Sequence, residues 1–447
     1  MQSYIHSNSN IALKSIANTL QLLNEGATVP FIARYRKEMT GGLDEVEIAL
    51  IRDLAKKYEE LIARQQTILN SIEEQGKLTP ELKEKITTCF DSIILEDLYL
   101  PYKQKRQTKG DKAKKLGLEP LAKMIMSQRG GDPIYMADKF VKGDVEDEQM
   151  AIDGAKDIIA EWINENGAAR AKIRHLFQRK SLLASKMVKG KEEEGAKYRD
   201  YFDFSEPLYK CASHRLLALV RAEREGIISL KAQPDQEEAI ESLERFFLKG
   251  NDACAKIVGE ACKESYKRLM CPSLENEILN EAKEKADKEA IKIFTTNLRQ
   301  LLLAPPLGSK RILAIDPGFR TGCKVVCIDE SGDLLMNQTI YPHPPQNESS
   351  AAKSKIAQFV QAYKIEAIAI GDGTAGRETE ALIKQIRFDR DLEVFVVRED
   401  GASIYSASPI ARKEFPMYDI TVRGSVSIGR RLMDPLAELV KIDPKSI

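Results

Sequence analysis

A chain of 447 residues, 43% hydrophobic and 30% charged, is too long for one ordinary core and implies two or three domains. Its 68 Lys and Arg balance 68 Asp and Glu, so no global charge announces a polyanionic partner, and the 6% aromatic share suits a helix-rich protein. Seven scattered cysteines contain no CxxC pair, no charged-then-apolar leader opens the chain, and no apolar run approaches the ~20 residues of a membrane span; a reducing cytoplasm and no membrane partner are expected.

Residues 9–24 place apolar side chains at helical spacing and stop at Gly26, a C-terminal glycine cap. A short connection then carries Arg34, Arg36 and Lys37. After Gly41 and Gly42 a long helix is expected from about 43 to 75, ended by Gly76, and Thr79 and Pro80 open another as cap and first residue. The passage 94–103 leads into a run of cations, Lys103, Lys105, Arg106, Lys109, Lys112, Lys114 and Lys115, against one acid, Asp111. Between 101 and 191 there are 20 Lys and Arg and 12 Asp and Glu, a local surplus suited to phosphates. The competing reading is a solvated helix face, because no Phe, Tyr or Trp falls between Lys103 and Lys115 to stack on bases.

From 148 to 189 the pattern is again helical, with Trp162 at an apolar spacing that argues for core, and 189–195 reads as an exposed charged turn. More helix is expected over 198–300, interrupted by a brief β-like run after Gly226 and ending in a long Lys- and Glu-rich connector from about 274 to 303. Ala304-Pro-Pro-Leu-Gly-Ser309 breaks it and marks the best domain boundary. The expected domains are therefore 1–195, 196–308 and 309–447.

Beyond 310 the pattern changes. Apolar, β-rich runs occur at 311–315, 323–328, 334–341, 365–370 and 393–398, with helical stretches at about 350–363 and 376–388. Three meandering strands followed by two helix-separated ones is the order of the ribonuclease H-like fold. The fold class expected is thus a mainly α-helical N-terminal two thirds followed by an α/β ribonuclease H-like domain.

In that topology the first strand delivers Asp316 to a rim, and acids at the ends of the later parallel strands converge on it. Asp372 lies in a Gly-rich turn after the fourth strand, Glu399 after the fifth, and Asp434 in a terminal helical stretch. Two hard metal ions acting on a phosphodiester need about three or four such carboxylates, which makes Asp316, Glu399 and Asp434 candidate catalytic acids, with Asp372 as a further metal ligand; Mg2+ or Mn2+ would be the cofactor of such a site, and otherwise none is required. Each acid has a structural alternative. Asp434 before Pro435 reads as a helix cap, Asp372 between glycines as a turn residue, Glu399 and Asp400 as caps of the next helix, and Arg398, Arg430 and Arg431 as salt-bridge partners that would displace metal. Gly371-Asp-Gly-Thr-Ala-Gly376 lacks the Gly-Lys-Ser/Thr ending of a Walker loop, and four histidines without a nearby serine pattern give no triad.

The runs 25–45, 96–103, 316–322, 401–408 and 430–445, taken in order along nearly the whole chain, resemble the bacterial transcription accessory family Tex. The resemblance implies a helix-turn-helix-like element in the N-terminal part and a YqgF domain, related to RuvC-type resolvases, from about 310. It also implies RNA or DNA, and RNA polymerase or other transcription machinery, as partners. Family members continue past Lys-Ile-Asp-Pro-Lys-Ser-Ile447 into helix-hairpin-helix and OB-type RNA-binding regions that this sequence does not include. Asp372 departs from the Asn expected there and adds a carboxylate to the rim. The expectation is a non-catalytic, nucleic-acid-binding transcription scaffold, with a divalent-metal-dependent nuclease as the alternative. Arg34, Arg36, Lys37 and the seven cations of 103–115 are its candidate nucleic-acid contacts.

Overall fold

The computed structural model describes residues 1–103 and 108–447. By compactness the chain divides into Met1–Ala286 and Asp287–Ile447.

The first unit is built mainly of helices. Asp44 caps the helix Glu45–Glu74 in a reciprocal box with Glu47, satisfying donors that the first turn would otherwise leave open. The N-terminal half of this helix contributes Ile48, Ile51 and Ala55 to a small core with Ile5, Ile16, Leu22 and Ile32. Its C-terminal half contributes Ile68, Leu69 and Ile72 to a second core with Ile86, Leu95 and Tyr99. A larger core forms around the helix Glu148–Glu165, against which Trp162 is half-buried.

Two departures from the expected pattern lie in this unit. Strands β1 (Leu182–Met187) and β2 (Asp203–Pro207) occupy stretches whose spacing reads as helix. Both join β3 (Ile228–Gln233) in a three-stranded antiparallel sheet with β1 at its centre. Short strands held by pairing carry little periodic signal, and here tertiary pairing overrides local pattern. The sheet also spans the boundary drawn at 195 and 196, because β1 on one side pairs with β2 and β3 on the other.

The second unit contains β4 (Ile312–Asp316), β5 (Cys323–Ile328), β6 (Leu334–Ile340), β7 (Ala367–Gly371) and β8 (Glu393–Val397) in the order β6-β5-β4-β7-β8. β5 and β6 are antiparallel to their neighbours, while β7 and β8 run parallel to β4, giving the mixed ribonuclease H-like sheet. Alternation along β4 assigns its two faces. Leu313 and Ile315 pack with Ile356, Val360 and Leu382 of the helices Ser349–Ala362 and Gly376–Ile383, together with the buried Cys323 and Cys327. Ile312 and Ala314 pack with Val422, Val426 and Ile428 of the helix Ile420–Met433. Asp316 has the parity of Ile312 and Ala314, so it sits on the face that this helix covers.

The helix can lie this close to the sheet because Gly429 lacks a side chain. A Cβ at Gly429 would stand 2.8 Å from Ile328 Cδ1 and 3.1 Å from the Ala314 Cβ. Gly429→Val is expected to lower unfolding free energy by about 1–3 kcal/mol, as overpacked core sites do, measured by urea denaturation.

Candidate nucleic-acid interface and acidic rim

Asp316 and Glu399 line one cavity of about 320 Å³, with Ser403, Ser406, Thr421 and Gly424. Burial raises the Asp316 carboxyl above its usual range, and the ammonium of Lys324, its partner across β4 and β5, opposes that shift. Glu399 is also raised, first by burial and then by the charges of Asp316 and Asp372. Its carboxylate rests on the turn after β7, where a Cβ at Gly371 would stand 2.6 Å from Oε2 and one at Gly373 would overlap Oε1. Glu399 Oε2 is buried without a hydrogen-bond partner. Asp372 ties the ends of β7 and β8 together: its Oδ1 accepts the Glu399 backbone N–H at 3.0 Å, and its own N–H donates to Val397 O at 3.0 Å.

Among the described residues no arginine forms an ion pair with Asp316, Asp372 or Glu399, although the charge of Arg431 interacts with those of Glu399 and Asp372. Arg431 is buried and donates through Nη1 to the backbone oxygens of Arg398 and Asp400, each at 2.8 Å. Arg430 pairs with Glu414 at 2.8 Å. Nor does Glu399 or Asp400 cap the next helix, whose N-cap is Gly401 with no side-chain bond.

Asp434 is not brought to Asp316. It is the N-cap of the helix Pro435–Leu439, accepting Ala437 N–H at 3.0 Å, and lines a separate cavity with Gly308, Ser331 and Gly332. The register explains the separation: Asp316 pairs with Lys324, whereas the turn containing Ser331 and Gly332 follows Ile328, which pairs with Ile312 at the other end of β4. Asp434 also follows Gly424 by ten positions, about 15 Å along a helix axis. The residue of this helix that faces Asp316 is Gly424, whose added Cβ would lie 3.9 Å from Asp316 Oδ2. Among the described residues the rim thus holds Asp316 and Glu399, with Asp372 engaged by backbone; the helix Ile420–Met433 itself contains no acid, and its N-cap Asp419 accepts the Thr421 and Val422 N–H groups. Among the described residues no group of three or more His, Cys, Asp or Glu is placed to hold a metal ion. These residues do not fit a two-ion centre.

Of the candidate cations, Arg34, Arg36, Lys37 and Lys103 are exposed, and Lys105 and Arg106 lie outside the described residues. Thr108 and Asp111 form a capping box that starts the helix Lys109–Lys115. Gly110 and Ala113 are buried on one side of it, leaving Lys109, Lys112 and Lys115 exposed at three-residue spacing. Lys114 instead turns to Glu161, 3.8 Å away. Glu161 is itself buried and accepts the Gly110 N–H at 3.0 Å, which pins the lysine-bearing helix to Glu148–Glu165.

Sequence reasoning missed three contributors: Gly424, Glu161, and the exposed aromatics Phe31 and Tyr35 beside the first cation group. The last pair was visible as an i, i+4 spacing straddling Arg34. The others depend on packing between distant segments.

Two outcomes follow. Because folding favours the neutral form of Glu399, the folded state holds that proton more tightly than the unfolded state, and stability falls as pH rises through the raised pKa. Glu399→Gln is therefore expected to raise the melting temperature at pH 7, with the gain disappearing as pH falls below the usual carboxylate range of about 4. Gly110→Ala would overlap the Glu161 carboxylate and break its buried bond, so a loss of about 1–3 kcal/mol is expected in chemical denaturation.

Comparison with known proteins agrees with this architecture. Residues 1–73 match the family described as Tex-like protein N-terminal domain, 128–294 the Tex central region-like family, and 310–433 the Tex protein YqgF-like domain. The chain is 45% identical to Protein tex of Bordetella pertussis, over 97% of this chain and 57% of that protein. It is 41% identical to Transcriptional accessory protein Tex of Neisseria gonorrhoeae, over 96% of this chain and 57% of that protein. Human S1 RNA-binding domain-containing protein 1 is 31% identical over 100% of this chain and 47% of its own length. The chain therefore spans roughly half to three fifths of these relatives. With N-terminal, central and YqgF-like domains in the same order, it belongs to the Tex family.

Proposed function

We propose that this chain is a nucleic-acid-binding part of a transcription accessory factor whose ribonuclease H-like domain contacts a phosphate backbone without cutting it. The observation that carries the non-catalytic part is Gly424 opposite Asp316, with Asp434 at the far end of the same helix. In-line phosphodiester displacement with two metal ions relies on acids clamping both ions from several elements. Here the helix that would bring one brings a hydrogen atom. Support for nucleic acid comes from the exposed stripe Lys109, Lys112 and Lys115 and from the cations Arg34, Arg36 and Lys37, none of which has an ion pair among the described residues. The relatives' names, a transcriptional accessory protein and an S1 RNA-binding protein, favour RNA and the transcription machinery as partners. A helix-turn-helix-like element in the N-terminal part belongs to the same proposal.

A second reading, a metal-dependent nuclease, draws on one feature: the unpartnered Glu399 Oε2 in the cavity it shares with Asp316. Cleavage assays on single-stranded and branched substrates across Mg2+ and Mn2+ concentrations separate the two. No cleavage above background is expected, whereas cleavage abolished by Asp316→Asn would establish the nuclease. For binding, replacing Lys109, Lys112 and Lys115 together by alanine is expected to weaken RNA affinity and lower the slope of log K against log salt by about 3, one per lost phosphate contact. Fluorescence anisotropy at several salt concentrations measures this, and an unchanged slope would remove the stripe from the interface.

A further inference from the structure

The helix Val29–Tyr35 buries a single residue, Ile32, and leaves its two aromatic rings outside. Phe31 is 41% exposed and Tyr35 60% exposed, values too high for rings that serve a core. They stand four residues apart on one face, with centroids 5.4 Å apart and planes inclined by 47°. Each carries a cation: the Arg36 guanidinium lies 5.2 Å from the Phe31 centroid, and that of Arg34 lies 5.9 Å from the Tyr35 centroid. Arg34 to Met39 line a concavity of about 500 Å³, in which Glu38 is the only acid. Among the described residues Arg34, Arg36 and Lys37 have no carboxylate partner; the one hydrogen bond from these side chains runs from Arg36 Nη1 to Tyr35 O at 3.1 Å.

We infer that Phe31 and Tyr35 form a stacking platform for unpaired bases of single-stranded RNA, with Arg34, Arg36 and Lys37 holding the phosphates beside them. The inference rests on the nucleic-acid reading above and deepens it by naming the form of nucleic acid. Three unneutralised cations in four residues favour a polyanion. Two exposed rings with guanidinium groups at hand add what a phosphate contact alone does not need, a π surface open to a base. A duplex keeps its base faces covered, so this patch selects unpaired strands. It differs in kind from the stripe Lys109, Lys112 and Lys115, which has charge and no ring.

The test is anisotropy titration of the chain with an oligouridylate of about 12 nucleotides and with duplex RNA of equal length. Phe31→Ala with Tyr35→Ala is expected to weaken oligouridylate binding about tenfold or more, because two stacked bases together contribute at least that factor, and to leave both the salt slope and duplex binding unchanged. Replacing Arg34, Arg36 and Lys37 by glutamine should lower the salt slope for oligouridylate by up to about 2. Both rings are exposed, and an unchanged thermal melt verifies that the aromatic variant remains folded. Oligouridylate binding that ignores the aromatic change, while still responding to the lysine stripe, overturns this inference and leaves the nucleic-acid reading standing. No salt-dependent binding by the unaltered chain overturns both. Loss of RNA polymerase capture with oligouridylate affinity unchanged assigns the patch to a protein partner and overturns it as well.

Discussion

The second unit depends on how closely the helix Ile420–Met433 approaches β4. Gly429 lets its backbone settle against Ala314 and Ile328, and Val422, Val426 and Ile428 then close one face of the sheet. The same approach carries Gly424 to Asp316. The position of the helix that packing sets opposite Asp316 therefore carries no carboxylate. Asp316 and Glu399 remain in one cavity in which burial raises both carboxyls, Glu399 further through the charges of Asp316 and Asp372, while Lys324 opposes the shift at Asp316.

Much of this unit was legible in the sequence. Apolar, β-rich runs interrupted by turn residues delimit all five strands to within a few residues, and their order along the chain suffices for the topology. Asp316 was found for a physical reason: an acid that ends a buried strand has to emerge at an edge. Asp434 shows where such reasoning stops. Its cap role before Pro435 is local and readable, but its distance from Asp316 depends on the direction of a helix across a sheet, which no local pattern encodes. Gly424 is silent for the same reason, since a glycine within a helix has no sequence signature until its neighbour is known.

In the first unit the cations were legible and their supports were not. Glu161 lies 51 positions from Gly110, yet its buried carboxylate holds the N-terminal end of the lysine-bearing helix. Likewise β1 became a strand because β2 and β3 flank it, although its own spacing resembles helix. The two groups of cations also differ in what accompanies them. Lys109, Lys112 and Lys115 form a purely electrostatic stripe, whereas Arg34 and Arg36 lie against exposed rings. The proposed division of labour between charge and base stacking rests on that difference.

The central claim, that the rim lacks a helix-borne acid, is tested most directly by giving it one. A Cβ at Gly424 meets nothing closer than 3.9 Å, so a side chain can start there without displacing a neighbour, and it would point toward Asp316. Mn2+ binding by isothermal titration calorimetry should be weak for the unaltered chain and substantially tighter for Gly424→Asp, with the gain lost when Asp316→Asn is added. Tight Mn2+ binding by the unaltered chain, unaffected by Gly424→Asp and abolished by Asp316→Asn, would contradict the account.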